Sequence, residues 1–566
     1  MQCLRLKWIE YGDFYAELDF FDNPDSRRDD FGYSVSLSAD GNTVAIGAPG
    51  HDHDDWGLNS DSGIVRILRF DDQTRLWTQL GIDIVCCARC NEPENLNLSL
   101  NLVVPMNGCG GSVSLSSDGN MVAIGAFGVN WDYPYGNEEH PGRVEMYKYD
   151  EQGNSWIQQG RTIMGDTASG VAWNELSPIL GEFNGRIGYS ISLSNDGMVV
   201  AIGAPFISDD PDGDLNTEHQ IRKWSGKVRV YQWDGYDWIP LGLNTPLAGA
   251  MNEAFGKSIS ISSSEGVLKV AIGAPSRLWE LGPVTDLQRD MLKPSHGYVR
   301  VYQYINESVG WVQLGTDIFS SNLGQPLEDA IRDVPEDLDR FGFSVSLSEN
   351  GTRLAVGAPY RTLLGQVFVY EYDGCEWAIV GDPISGERLN SALEDGHSET
   401  HYLGMSVSLS ADGNTVASAS IPYSTKHFYV HQYDGSSWEK IGETIVGYDD
   451  QGDLFRIDGD VSLSADGTKV AVGMPFEDGH GRVRLFSFGG TCPANPNKPW
   501  FTKCNSDCPD ACASGLECKA YGSIGYTNNP SLECIWSDPE TQQLGDACWT
   551  NYEGASCAEP LECTGM

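Results

Sequence analysis

Seven times along this chain, small polar and apolar residues alternate over five positions and then give way to an apolar run. The first copy reads FGYSVSLSADGNTVAIGAP at Phe31–Pro49, and its counterparts open at Cys109, Ile187, Phe255, Phe341, Leu403 and Ile457. Strict alternation such as Ser34-Val-Ser-Leu-Ser38 predicts a strand with one buried face. An Asp-Gly or equivalent pair follows (Asp40-Gly41, Asp118-Gly119, Asp196-Gly197, Asn350-Gly351, Asp412-Gly413, Asp466-Gly467) and predicts a hairpin. The run Val44-Ala-Ile-Gly-Ala48 is the second strand, and the proline after it ends the ladder because it has no N–H to donate.

A third alternating strand opens on glycine, as in Gly226-Lys-Val-Arg-Val-Tyr231 and Gly297-Tyr-Val-Arg-Val-Tyr302. Tight turns at Asp234-Gly235, Asp373-Gly374 and Asp434-Gly435 lead to a short fourth strand. That strand is marked by Trp77, Trp156, Trp238, Trp311, Trp377 or Trp438, each followed four residues later by glycine. Four-stranded antiparallel meanders repeated at spacings of 54 to 86 residues predict an all-β, seven-bladed propeller, with an open solenoid as the alternative. The seventh copy stops at Phe488-Gly-Gly490 with no tryptophan strand. Trp8-Ile-Glu-Tyr-Gly12 carries the missing pattern, so the N-terminal segment is expected to supply that strand and close the ring.

The Phe-Gly and Gly-Ala-Pro frame resembles FG-GAP repeats, the units of the integrin α-subunit propeller, and more closely those of secreted algal and microbial propellers. The resemblance covers about residues 8–490 and implies a propeller. It says little about function, since one propeller shape hosts many activities. Integrin-type repeats also carry a calcium loop in the first hairpin. Here that hairpin is only Ser-x-Asp-Gly, too few oxygens for a cation wanting six to eight, so these aspartates are read as turn formers.

Alternating strand direction puts both tight turns of every blade on one face and the long, dissimilar loops on the other. Long loops on a rigid scaffold make the second face the expected working surface. Two of its loops carry candidate cation ligands. His51-Asp52-His53-Asp54 offers mixed nitrogen and oxygen donors. Asp210, Asp212, Asp214 and Asn216 have the alternate spacing of a calcium loop but lack its distal glutamate. Ca2+ is therefore the cofactor candidate, against the reading of both loops as solvated acidic segments. Cys86, Cys87, Cys90 and Cys109 cluster in another loop. Disulfides there fit an extracellular chain better than half of a zinc site.

The 566 residues carry a formal net charge of −44, which disfavours nucleic acid and anionic membranes as partners. No apolar run is long enough to span a membrane. The last stretch holds Cys492, Cys504, Cys508, Cys512, Cys518, Cys534, Cys548, Cys557 and Cys563, a small disulfide-rich module that points to an oxidising compartment. Domains are thus expected at 1–490 (propeller) and 491–566 (cysteine-rich). The incomplete second cysteine repeat and the lack of an apolar leader at the N-terminus point to a chain cut short at both ends. Asn97, Asn306 and Asn350 stand in glycosylation sequons.

No Gly-x-Ser-x-Gly elbow or His-Glu-x-x-His helix is present, and the hairpins lack the tryptophan of sialidase-type turns. The third-strand arginines Arg66, Arg143, Arg229, Arg300, Arg482 and Arg484 are read as structural. The expected function is extracellular or cell-surface recognition and adhesion, by a monomeric propeller presenting its loop face to a glycan or protein, with cation assistance. The alternative is a secreted hydrolase or lyase of polysaccharide. A His–carboxylate pair on the loop face is what would favour the enzyme.

Overall fold

The computed structural model describes residues 8–15, 29–51, 62–86, 108–127, 142–164, 186–207, 225–242, 246–250, 253–275, 297–320, 339–362, 364–387, 402–420, 425–448, 459–475, 477 and 480–488, and the backbone of 503–504, 516–521 and 531–536. From the inside out, blade 1 is Ser34–Leu37, Thr43–Ala48, Ile64–Asp71 and Leu76–Gln79. Blade 2 is Cys109–Leu115, Met121–Ala126, Arg143–Asp150 and Ser155–Gln158. Blade 3 is Ser190–Leu193, Val199–Ala204, Lys227–Trp233 and Trp238–Pro240. Blade 4 is Ser258–Ser264, Val267–Ala274, Tyr298–Asn306 and Gly310–Gln313. Blade 5 is Ser344–Leu347, Arg353–Ala358, Gln366–Tyr372 and Trp377–Ile379, and blade 6 is Val407–Leu409, Thr415–Ser420, Thr425–Tyr433 and Trp438–Lys440. Blade 7 takes Val461–Leu463, Lys469–Met474 and Arg482–Phe488 from one end of the chain and Trp8–Tyr15 from the other. The N-terminal strand runs antiparallel to Arg482–Phe488, with Trp8 opposite Phe488.

Each inner strand touches the next, and the seventh touches the first, so the inner strands surround the axis. Apolar side chains of neighbouring blades meet in seven separate clusters rather than one core. In four blades the outer strand is broken after its glycine. A two- to four-residue piece such as Ile163–Met164 then pairs with the other half of the third strand, an addition to the four strands predicted.

Three rings of hydrogen bonds join the blades, and each traces to a repeated residue type. In the first, a serine of every inner strand accepts from a backbone N–H of the next blade at 2.9–3.0 Å, as Ser36 does from Leu115. In the second, every marker tryptophan donates its indole N–H to the carbonyl just before the repeat glycine of the preceding blade, at 2.8–3.1 Å. Trp8 donates to Ile441, and Trp77 donates to Tyr11 on the N-terminal strand, so the ring of seven is complete only with that strand. The Trp-x-x-x-Gly spacing thus encodes a latch, the glycine leaving room for the neighbour's indole.

In the third ring, the middle residue of each Ser-x-Asp-Gly turn bonds the next turn: Ala39 to Ser117, Ser117 to Asn195, Glu349 to Ala411, Ala411 to Ala465, and Ala465 back to Ala39. Blade 4 lacks that motif. There the Ser263 hydroxyl accepts from Asn195, and Ser262 donates to the Glu349 carbonyl, bridging the gap.

The turn aspartates do what the sequence implies. Asp40 accepts from the Ser38 hydroxyl and the Asn42 backbone. Burial alone would raise its pKa, but these bonds and nearby Lys469 hold it below the usual carboxylate range. The third-strand arginines also serve structure: Arg66 and Arg300 form two-pronged pairs with Asp83 and Asp317 at 2.7–2.9 Å, and Arg482 and Arg484 bind Asp13 and Glu10 of the closing strand. Cys86 and Cys109 are joined by a disulfide, while Cys375 is free and exposed. In the tail, three short strands pair and place Cys518 opposite Cys534 in register.

Candidate functional site on the axis of the loop face

Each inner strand is entered through a Phe-Gly pair or its equivalent, on the face that carries the long loops. The residue before that pair has a positive φ in all six copies described: Asp30, Gly108, Arg186, Ala254, Arg340 and Tyr402. A left-handed backbone costs a side-chain-bearing residue roughly 1–2 kcal/mol, and Gly108 shows what the backbone alone prefers. The residue after the pair differs as much: Tyr33, Gly111, Tyr189, Lys257, Phe343, Met405 and Gly459. These two positions stop being equivalent where the serine, glycine and tryptophan positions repeat almost unchanged.

Blades 3 to 5 fill these positions with cations and aromatic rings. The Lys257 ammonium donates to the Tyr189 hydroxyl and lies 4.1 Å from the Tyr189 ring centre and 4.7 Å from that of Phe343. The Arg186 guanidinium lies 5.3 Å over Phe206, and that of Arg340 lies 4.0 Å over Tyr360. Phe127 and Phe206 flank Tyr189 at 4.9 and 5.1 Å, and Tyr360 meets Tyr402 at 4.9 Å. Burial draws the pKa of Arg186 and of Arg340 down, and neighbouring tyrosines oppose the change: Tyr189 and then Tyr33 for Arg186, Tyr360 and then Tyr402 and Tyr189 for Arg340. Lys257 contacts Tyr189 directly and Arg186 reaches it through Phe206, while Arg340 stands on the adjoining Tyr360–Tyr402 pair.

A His–Asp–His group stands at the seam between blades 7 and 1. Asp29 lies between two imidazoles, its Oδ1 3.0 Å from His51 Nδ1 and its Oδ2 3.3 Å from His480 Nδ1. Burial alone would lower the His51 pKa, but the bond and charge of Asp29 prevail and raise it. Both imidazoles are held at Nδ1, the arrangement that leaves Nε2 to act on something else.

A third cluster lies between blades 5 and 6. Blade 6 reads Val416-Ala-Ser-Ala-Ser420 where others read Val-Ala-Ile-Gly-Ala, and its third strand carries His427, Tyr429 and His431. Ser418 faces Tyr429 in register, and His431 faces Val416. Among the described residues, Ser418 Oγ, Tyr429 OH and His431 Nδ1 are buried without a hydrogen-bond partner. Burial, with Lys440 nearby, pushes the His431 pKa down to about 4. A consequence follows for acid stability. The unfolded chain takes up a proton on this residue near pH 6.5, whereas the folded chain refuses it until about pH 4. Stability is therefore expected to fall between those values by about 3 kcal/mol. His431→Phe, the residue type found there in blade 7, should abolish this slope in urea unfolding curves taken at pH 7, 5.5 and 4.5. His51 works in the opposite sense, its contribution fading as the pH rises above 6.5, so the windows do not overlap.

Of the candidate residues predicted from the sequence, the structure places His51 in this site, paired with Asp29. Asp52, His53, Asp54, Asp210, Asp212, Asp214 and Asn216 lie outside the described residues, as do Asn97, Cys87, Cys90, Cys492, Cys508, Cys512, Cys548, Cys557 and Cys563. No group of three or more metal-ligating side chains occurs among the described residues. Asn306 and Asn350 are exposed at turns, where their Oδ1 atoms accept bonds from Ser308 and Thr352. Arg186, Tyr189, Lys257 and Arg340 were not singled out by sequence reasoning. Their signal was present, however, as unequal residues at equal positions of a repeat.

No known family pattern and no curated protein matches this chain. Among solved structures it is similar to a Dos1 propeller (9% identity, TM-score 0.39, covering 85% of this chain and 95% of that one). It is also similar to the Cps50 (Swd1) β-propeller domain of Myceliophteria thermophila (11%, 0.39, 84% and 99%) and to a putative 6-phosphogluconolactonase from Bacteroides uniformis (11%, 0.38, 73% and 85%). Likeness at this level bears on nothing beyond the propeller shape.

Proposed function

We propose that this chain is an extracellular recognition protein of the FG-GAP type, holding its loop face to a glycan or protein partner. The observation that carries the reading is the contrast within the repeat. Every position that joins blades is nearly constant, while the positions around the axis of the loop face diverge and gather cations, aromatic rings and a His–Asp–His group. A latched ring serves as a rigid frame for such a surface. The Cys86–Cys109 disulfide supports an oxidising, extracellular setting. The test is retention on immobilised polysaccharides and cell surfaces, compared with a chain whose loops 52–61 and 208–224 are shortened. Retention should be lost with the loops; equal retention by both chains would count against the reading.

Cation assistance belongs to the same proposal and rests on Asp210, Asp212, Asp214 and Asn216. Calcium held at one hundred times its dissociation constant should add about 2.7 kcal/mol to stability. A melting temperature that is the same in millimolar calcium and in chelator would remove the cation from the proposal.

One observation favours a second reading, a polysaccharide hydrolase or lyase. His51 and His480 are oriented by Asp29 as general bases are oriented by a carboxylate. Under this reading a polysaccharide panel shows turnover that His51→Asn reduces at least a hundredfold; absence of turnover in the native chain decides for the binder.

A further inference from the structure

We infer that the axial mouth over blades 3 to 5 is an anion site that takes the single carboxylate of an acidic sugar residue, with Arg186, Lys257 and Arg340 as its ligands and Tyr189 as its floor. This rests on the recognition reading of the loop face and names the chemistry that the face accepts.

Four observations lead there. First, the protein carries a net charge of −44, with 36 lysines and arginines against 80 acidic residues. Three cations seated on aromatic rings at equivalent entries of three consecutive blades, Arg186 and Lys257 in one cluster around Tyr189 and Arg340 on Tyr360, are therefore an unusual local concentration. Second, the third-strand arginines Arg66, Arg300 and Arg482 are spent on carboxylate partners, whereas Arg186 and Lys257 face aromatic rings and no carboxylate among the described residues. Guanidinium and ammonium groups taken partly out of water against rings are ready to exchange those contacts for an anion. Third, Arg186 and Arg340 sit at positive φ, where Gly108 fills the same position of blade 2 without strain. The backbone gains nothing from arginine there, so the side chain is the reason for it. Fourth, the arrangement supplies the geometry of carboxylate recognition. Arg186 and Arg340 present planar forks, Lys257 presents a point charge, and the rings of Phe206, Tyr360, Tyr189 and Phe343 stand beside them.

The charge of the whole molecule sets the size of the ligand. A polyanion would be repelled by the acidic surface, while one carboxylate at the axis lies beyond much of that field, since charges more than about 10 Å apart are largely screened at 0.1 M salt. The fitting ligand is thus a uronic-acid residue, free or at the end of a chain. The tyrosine hydroxyls and ring faces suit the hydroxyls and C–H edges of its ring.

The experiment is calorimetric titration of the full chain with sodium glucuronate, with glucuronamide and glucose as neutral isosteres and acetate as a bare carboxylate. Saturable binding of glucuronate is expected, at least tenfold tighter than any of the three controls and weaker at high salt. Lys257→Gln should weaken it at least tenfold. Arg186→Gly should do the same while leaving the melting temperature unchanged or higher, because glycine relieves the left-handed backbone; loss of binding then cannot be ascribed to unfolding. No saturable binding of glucuronate, equal binding of glucuronamide or acetate, or binding indifferent to both substitutions overturns the assignment. The two readings fail separately. If both substitutions leave glucuronate binding intact while loop shortening abolishes surface retention, the anion site falls and the recognition reading stands. If Arg186→Gly abolishes glucuronate binding while loop shortening leaves retention unchanged, the recognition reading falls and the anion site stands.

Discussion

Deleting residues 1–15 is expected to destroy cooperative folding of the propeller, although the deleted segment is a small part of the chain. The strand Trp8–Tyr15 is the outer strand of blade 7, and without it Arg482–Phe488 becomes an open edge. Two latches are lost together, Trp8 to Ile441 and Trp77 to Tyr11, one on each side of the closure. The Arg484–Glu10 and Arg482–Asp13 pairs go with them, leaving both guanidinium groups without those partners. Loss of a packed tryptophan alone costs about 3 kcal/mol. With the ladder and the second latch added, the total approaches the ~5–15 kcal/mol that holds a whole domain together. Urea unfolding followed by tryptophan emission should therefore change from a single steep transition to a broad one beginning without denaturant, and the truncated chain should self-associate through the open edge. A peptide of residues 1–20 added in trans should restore part of the transition by refilling that edge. A truncated chain with an unchanged midpoint would refute closure by this strand.

Gly203→Ala is expected to destabilise the protein by about 4 kcal/mol, far more than a methyl group usually does. The glycine of the Ile-Gly-Ala run lies where two blades approach each other most closely. A Cβ at Gly203 would come under 3.0 Å from the Gly256 carbonyl oxygen and from the Ser190 hydroxyl, and similar backbone clashes await at Gly47, Gly125, Gly273, Gly357 and Gly473. The oxygen it would strike is the acceptor of the Ser190 hydroxyl at 2.7 Å. Relief requires the blades to part and break that bond, which adds about 1 kcal/mol to an overpacking cost of about 3. The chain contains its own control. Blade 6 has Ala419 at this position, fully buried, and there the Ser406 hydroxyl donates to the Asp460 carboxylate instead of a glycine carbonyl. Ala419→Gly should cost no more than about 1 kcal/mol. Denaturant midpoints of the two variants test the pair, and equal effects would show that close approach at the axis is not what the glycines serve.

Most of the frame was legible because a repeat states each structural requirement several times. Ser-Val-Ser-Leu-Ser, Asp-Gly and Trp-x-x-x-Gly fix strands, turns and spacing locally, and a missing seventh tryptophan at one end matched by Trp8 at the other fixes closure. What the latches bond to was not legible. Trp156 and Leu80 lie far apart in sequence, and only the radial stacking of blades brings the indole to that carbonyl. Asp460 stands where the other blades carry serine, such as Ser34 and Ser406, and only the structure shows its role. It accepts from the Val35 N–H across the joint where blade 7 meets blade 1, and its burial there holds its carboxyl above the usual range.

The site divides in the same way. His51 drew attention as part of an acidic, histidine-bearing loop, but its partner Asp29 and its counterpart His480 are brought together by ring closure, at the seam between blades 7 and 1. Arg186, Lys257 and Arg340 belong to three different blades, and no local pattern connects them. The sequence by itself determined the seven blades, their four strands, the closing strand and the loop-bearing face, because alternation, turn chemistry and repeat length act over a few residues. The tertiary structure alone decided which side chains share the axis. Convergence there depends on the closed ring, which brings residues of different blades together at one point.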